Sequence, residues 1–216
     1  DVLVVAQKVV SKAEGRLVEL EDIIPSKEAN TLASETDKDP RIVQLILEES
    51  IKVVRKKQGV MIVRHKLGHV GANAGIDQSN IEHDIAGSAL LLPISPDESA
   101  LELKNFFKER NGISIGVIIS DSMNRPWRLG TVGEAIGCSG LTVLDDRRGE
   151  TDMYGRELKI TLINQADALA SIATLAMGET NEATPVVLIK GLNQQMNSSQ
   201  TARDIMRPLE DDLFCD

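Results

Sequence analysis

The chain has 216 residues, 42% of them apolar and 26% charged, with a formal net charge of −9 and only 2% aromatics. That length supports a sizeable core in one large domain or two small ones, and no apolar stretch approaches the roughly 20 residues of a membrane-spanning helix. The acidic balance and the scarcity of aromatics argue against a nucleic-acid binder, and any anionic substrate would need local cations or bound metals to offset the background.

The sequence opens on Asp1 to Val5 without an initiator methionine and reads as a buried strand already under way, so residues are expected upstream. Val2 to Val5 is expected to run into a polar loop from Ala6 to Arg16. Ser26 after Pro25 is a helix cap, with Ala29, Leu32 and Ala33 following at helical spacing. Pro40 opens a second helix, with Ile42, Val43, Leu45, Ile46 and Ile51 as its apolar face. Gly59 ends that region, Val60 to Val63 and His69-Val70 are strand-like, and a small-residue loop runs from Gly71 to Asn80. Leu90 to Leu92 is a short buried segment and Ser99 to Arg110 a helix. Ser114 to Ser120 is the clearest strand, running into Asp121. A loop bearing Gly and Arg follows, then small residues from Thr131 to Gly140. Lys159 to Met177 has helical spacing, although Lys159 to Asn164 also suits a strand. Pro185 to Ile189 is a last strand, and the tail is loop plus a short helix. Irregular alternation without repeat or linker predicts a mixed α+β fold, one compact unit of one lobe or two, spanning 1–216.

Two carboxylates stand out. Asp77 lies in a glycine-bearing loop after a strand, and Asp121 ends the strongest strand. With Ser79, Asn80 and Ser122 nearby in sequence, they offer the hard oxygen ligands that Mg²⁺ or Mn²⁺ prefers. Taken singly, an Asp after a strand is more often a turn residue. Arg125 and Arg128 strengthen the pattern, because arginine forks bind phosphate bidentately and stabilise phosphoryl transfer alongside a metal. Alone they read as solvated loop residues. There is no P-loop signature and no GxGxxG after a strand, so neither a P-loop nor a Rossmann fold is supported. The glycines of 71–75 and 130–140 suit either close approach of backbone to an anion or tight turns. His65, His69 and His83 lack metal-ligand spacing and are assigned non-catalytic roles. Cys138 and Cys215 form no ligand pattern and read as inert thiols, so nothing requires an oxidising compartment.

Several strings occur in one order: Gln7 to Arg16, Ala74 to Asn80, Ile119 to Ser122 with Arg125 to Arg128, Asp152 to Leu158, and Met177-Gly178-Glu179. From Asp1 to about Leu192 the chain resembles the coenzyme F420-0:L-glutamate ligase family, also called F420 gamma-glutamyl ligase. The resemblance implies a cytoplasmic, GTP-dependent ligase of coenzyme F420 biosynthesis. It would join L-glutamate to the carboxylate of coenzyme F420-0 through an acyl phosphate, using two divalent cations, Mg²⁺ or Mn²⁺, as a homodimer with no nucleic-acid or membrane partner. Carried over by position, Asp77 and Asp121 would hold the first metal and Ser122, where the family usually has Thr, a second. Gln7, Lys8, Lys12 and Asn80 would contact GTP, with Met177, Gly178 and Glu179. The family is often glycine-rich after that triplet, where this chain has Thr180-Asn181-Glu182. Arg125, Arg128 and Arg156 are phosphate-clamp candidates, Arg125 also a catalytic one. The family begins with a further strand and helix; without them the edge beside Val2 to Val5 is expected to be unpaired. Two other functions fit the same residues: activation of a different small carboxylate, or a non-catalytic nucleotide-binding module. The paired carboxylates with Ser122 and Lys12 favour catalysis.

Overall fold

The computed structural model describes residues 1–79, 87–192 and 198–213, so Asn80, His83 and Cys215 lie outside the described residues. In chain order the elements are β1 (Val2–Ala6), α1 (Gln7–Ala13), β2 (Leu17–Glu19), α2 (Lys27–Thr36), α3 (Pro40–Glu48), β3 (Ser50–Lys57), β4 (Val60–His65) and β5 (Val70–Ala72). There follow β6 (Ser88–Leu90), α4 (Pro96–Asn111), β7 (Gly116–Asn124), β8 (Thr131–Ser139), β9 (Leu144–Asp146), β10 (Leu162–Asn164), α5 (Gln165–Met177) and β11 (Val186–Ile189). Short 3-10 turns occur at Asn73–Gly75 and in the tail at Ala202–Ile205 and Leu209–Asp211. The fold is therefore mixed α+β, as expected. Among the described residues no helix is long and apolar enough to cross a membrane.

The chain divides into two compact units. The first comprises Asp1–Ala6, Ser95–Ser122 and Thr131–Met206, and the second Gln7–Ile94, Met123–Gly130 and Arg207–Asp216. Each has its own apolar core.

In the first unit a four-stranded sheet has the order β11-β1-β7-β8. β1 runs parallel to β7, with Val5 opposite Ile119, and antiparallel to β11, with Val2 opposite Ile189. The expected open edge beside Val2 to Val5 is thus not present: β1 is interior. Its uninterrupted apolar run is the pattern of a strand covered on both faces, and Val2, Val4 and Ile118 are fully buried. The small-residue stretch from Thr131 to Gly140, left without an element in the sequence, is mostly β8. Gly133 and Gly137 serve neither as anion cradle nor as tight turns. A Cβ on Gly133 would lie 2.4 Å from the Ala170 carbonyl oxygen in α5, and one on Gly137 would lie 2.3 Å from the Pro96 carbonyl group in α4. Glycine here lets two helices lie against one strand.

In the second unit, Ser26 caps α2 by accepting from the Ala29 N–H at 3.1 Å. Asp39 caps α3 by accepting from the Arg41 N–H at 2.8 Å, with Pro40 in the first turn. Ala29, Leu32 and Ala33 of α2 join Ile42, Val43, Leu45 and Ile46 of α3 in the core. Each fully buried Leu or Ile of this kind contributes about 1.5–3 kcal/mol. Ile51 does not extend the α3 face; it lies in β3 and is exposed. The β-branched run Ile51, Val53, Val54 favours the pleated conformation over another helical turn. β3, β4 and β5 form an antiparallel sheet, and β2 pairs with β6. The loop expected after Val5 is instead the helix α1.

Candidate functional site

α1 follows β1 without a break, and a buried polar pair fixes it. Ser11 Oγ donates to Gln7 Oε1 at 2.8 Å, and both side chains are almost wholly buried. Residues four apart lie on one side of a helix, so Lys8 and Lys12 share a side adjacent to that anchor. Lys8 Nζ lies 2.5 Å from Asp77 Oδ2 and donates to Ser79 Oγ at 3.3 Å.

Asp77 is held by its backbone as well. Its N–H donates to the Leu90 carbonyl at 3.1 Å, and its carbonyl accepts from the Leu90 N–H at 2.8 Å. The chain reaches this bridge through three consecutive residues with positive φ: Asn73 at 53°, Ala74 at 55° and Gly75 at 65°. Such a conformation costs about 1–3 kcal/mol at a non-glycine residue. It is offset here by burial of Ala74 and by the Asn73 side chain, whose Oδ1 accepts from the Met61 N–H at 3.1 Å. Asp77 Oδ1 accepts from the Ser79 N–H at 2.6 Å, which leaves Oδ2 to Lys8. Burial pushes the Asp77 carboxyl up, but the hydrogen bonds from Lys8 and Ser79 outweigh it and hold the group below the ordinary carboxylate value. The turn residue and the charged acceptor are therefore the same side chain.

In the first unit, Asp121 does not end β7, which continues to Asn124. Beside it, Ser122 Oγ donates to Glu179 Oε1 at 2.6 Å. Glu179 follows α5, whose last residue, Met177, is anchored in the core. Gly178 then takes φ 76° and ψ 174°, a conformation open only to glycine. A Cβ there would lie 2.2 Å from the Glu182 carboxyl carbon. Glu182 in turn accepts from the Thr180 N–H at 2.8 Å and from its hydroxyl at 3.1 Å. Gly178 thus turns the chain so that Glu179 meets Ser122.

Asp77 and Asp121 belong to different units. Arg125 and Arg128 are exposed in the turn between β7 and β8, where the Arg128 N–H donates to the Arg125 carbonyl at 3.3 Å. Arg156 is exposed in a separate turn, its N–H donating to Asp152 Oδ1 at 2.9 Å. Of the expected nucleotide contacts, Lys8 meets Asp77, Gln7 is a buried anchor, and Lys12 is exposed.

A family model described as F420-0:gamma-glutamyl ligase matches residues 1–191. The chain belongs to that family. Curated relatives agree across nearly the whole sequence. The coenzyme F420:L-glutamate ligase of Methanocaldococcus jannaschii is 46% identical over 99% of this chain and 84% of its own length. The proteins of the same name from Methanopyrus kandleri and Methanosarcina mazei are 48% and 38% identical, each over 99% of this chain and 85% and 83% of their own lengths.

Among the described residues no group of three His, Cys, Asp or Glu could hold a metal ion. The absence of such a cluster is compatible with a hard divalent cation such as Mg²⁺. Mg²⁺ is commonly held by one or two carboxylates, with substrate phosphates and water completing its shell. The donors present are hard oxygens, and Asp77 Oδ2 already carries a cationic partner, the Lys8 ammonium, so the residues fit the ion. Sequence reasoning placed Glu179 against the nucleotide and did not find its bond to Ser122. Nothing local links residues 57 positions apart in the chain.

Proposed function

We propose that the protein joins L-glutamate to the carboxylate of coenzyme F420-0 in coenzyme F420 biosynthesis, with GTP as the activating co-substrate and Mg²⁺ or Mn²⁺ as cofactor. Family membership supports the ligase. The observation that carries the metal and phosphate part is the Asp77 carboxylate, oriented by the Ser79 N–H and neutralised by Lys8.

A free carboxylate is a poor electrophile, so the reaction needs a leaving group. In the proposed sequence a carboxylate oxygen of coenzyme F420-0 attacks the γ-phosphorus of GTP, and the bond from that phosphorus to the bridging oxygen breaks to release GDP. The glutamate amine then attacks the acyl carbon, the carbon–oxygen bond to phosphate breaks, and the amine proton passes to solvent or a base. Bound divalent cations supply neutralisation of the phosphate charge. Asp77 and Asp121 are each assigned as a cation ligand, and Ser122 with Glu179 as oxygen donors to a cation. Lys8, Lys12 and Asn80 are assigned to the triphosphate, as is the turn around Gly178, and Arg125, Arg128 and Arg156 to clamping phosphate. The assembly proposed is a homodimer, acting in the cytoplasm.

The test is mass spectrometry of reactions containing GTP, Mn²⁺ or Mg²⁺, L-glutamate and coenzyme F420-0. The expected product carries one added glutamyl residue, with one GDP and one phosphate released per bond, and chelator abolishes it. Product formed at full rate in excess chelator overturns the metal assignment. GDP release without any glutamylated product points to a different acceptor.

A further inference from the structure

The two oxygens of Asp77 are used differently. Oδ1 is committed to the Ser79 N–H at 2.6 Å within its own turn, and that bond sets the plane of the carboxylate. Oδ2 faces the Lys8 ammonium at 2.5 Å. The same ammonium also reaches Ser79 Oγ at 3.3 Å, so two oxygens of one turn hold it. A divalent ion such as Mg²⁺ bound to Oδ2 at about 2.0–2.1 Å would take the place and the charge that the ammonium now fills. Two cations on one carboxylate oxygen repel strongly in a partly desolvated site.

Lys8 combines a fixed backbone with a flexible side chain. Its backbone is fixed, because α1 is anchored by the Gln7–Ser11 pair. Its side chain remains about 31% exposed and has a flexible four-carbon stem. The charge can therefore swing while the helix stays in place.

We propose that Lys8 is the resident counter-cation of Asp77, displaced by the incoming divalent ion and thereby delivered to the phosphate that accompanies it. The inference rests on the reading that Asp77 ligates a metal, and adds an exchange to it. One carboxylate holds one cation at a time, so its charge is compensated at every stage. Entry of the metal and capture of phosphate are coupled through a single side chain, and linkage makes that coupling reciprocal.

The test reads Lys8 directly, without turnover. The intact protein is labelled with an amine-reactive ester, and modification of Lys8 is followed by mass spectrometry relative to the exposed Lys27. Bound Mn²⁺ is counted in parallel by electron paramagnetic resonance. Lys8 is expected to label slowly alone, at least threefold faster with saturating Mn²⁺, and slowly again when inorganic triphosphate is added with Mn²⁺. In Asp77→Asn it should label fast throughout, with Mn²⁺ affinity down at least tenfold and an unchanged far-ultraviolet spectrum. Lys8 labelling that is indifferent to Mn²⁺ shown to be bound overturns the exchange and leaves the metal site standing. Absence of bound Mn²⁺, or equal binding by Asp77→Asn, overturns the metal reading and the exchange together.

Discussion

The imidazole rings of His65 and His69 lie stacked, 4.8 Å between centroids and 8° from parallel. Both are buried, and among the described residues His65 Nε2 and both ring nitrogens of His69 have no hydrogen-bond partner. His65 Nδ1 accepts from the Leu67 N–H at 2.9 Å. Burial, then the charges of Lys66 and Arg16, lower the His65 pKa to about 4; burial, then His65, lower that of His69 to about 3.

This pair should make the fold acid-sensitive. Both folded pKa values lie below the unfolded value of 6.5, so the stability they contribute is fully present above about pH 6.5. It is lost as pH falls toward 4 and 3, at about 1.4 kcal/mol per pH unit for each proton taken up on unfolding. His69→Phe keeps a ring, removes two unpaired buried nitrogens and should flatten this acid limb. At pH 7 it should be near neutral, because replacing unpaired polar atoms by apolar ones costs little. Thermal melts of both proteins from pH 7 to 4 give the comparison; parallel curves would refute the role of the pair.

Gly137→Ala should destabilise the fold by more than about 2 kcal/mol, since overpacking against backbone leaves nothing flexible to yield. The added methyl would stand 2.3 Å from the Pro96 carbonyl group. Gly71→Ala is the matched control: its nearest neighbour would be Met123 Sδ at 3.6 Å. Urea midpoints of the two variants should differ clearly, with Gly71→Ala within about 0.5 kcal/mol of wild type.

Asp121→Asn separates a metal ligand from a strand residue. If Asp121 serves only the strand, the change should cost at most about 1 kcal/mol of stability and spare turnover. As a ligand, its loss should lower kcat by on the order of 10² or more with the fold intact. A melt and saturating-substrate kinetics on the same sample distinguish the two, and near-wild-type turnover would remove Asp121 from the mechanism.

Ser122 and Glu179 should act as a pair toward the second cation. Ser122→Thr keeps the hydroxyl and should retain the second equivalent of Mn²⁺. Ser122→Ala and Glu179→Gln should each weaken it by roughly 10–100-fold, the usual range for lost support at a metal. Equilibrium dialysis with manganese is the measurement, and unchanged binding in all three variants would leave the 2.6 Å bond a purely structural one.

The elements with local signatures were legible in sequence. Ser26 and Pro40 marked two helix starts, and Ser114 to Ser120 announced itself as a strand by its apolar run, which the structure places at Gly116–Asn124. α1 was not, because seven residues with two adjacent β-branched valines carry little helical signal; the burial of Gln7 and Ser11 that secures it is tertiary. Gly133 and Gly137 misled for the same reason. Glycine weakens a strand on its own, and only the helices lying against β8 explain it. Of the site, Asp77 was visible as a loop carboxylate. Its ammonium partner was not, since nothing in the spacing of Lys8 and Asp77 shows that α1 and the turn before β6 meet.

The chain changes unit at five points: after Ala6, Ile94, Ser122, Gly130 and Met206. No single continuous stretch of gene therefore encodes either unit whole. A crossover between two relatives, or a clone trimmed at any one of these points, carries parts of both. β1 and β7 pair side by side although more than a hundred residues lie between them, so the sheet of the first unit can be completed only after those residues have been made. Attempts to transplant one unit will need several cuts, and joining the gene's ends would not help, because the six segments would still alternate.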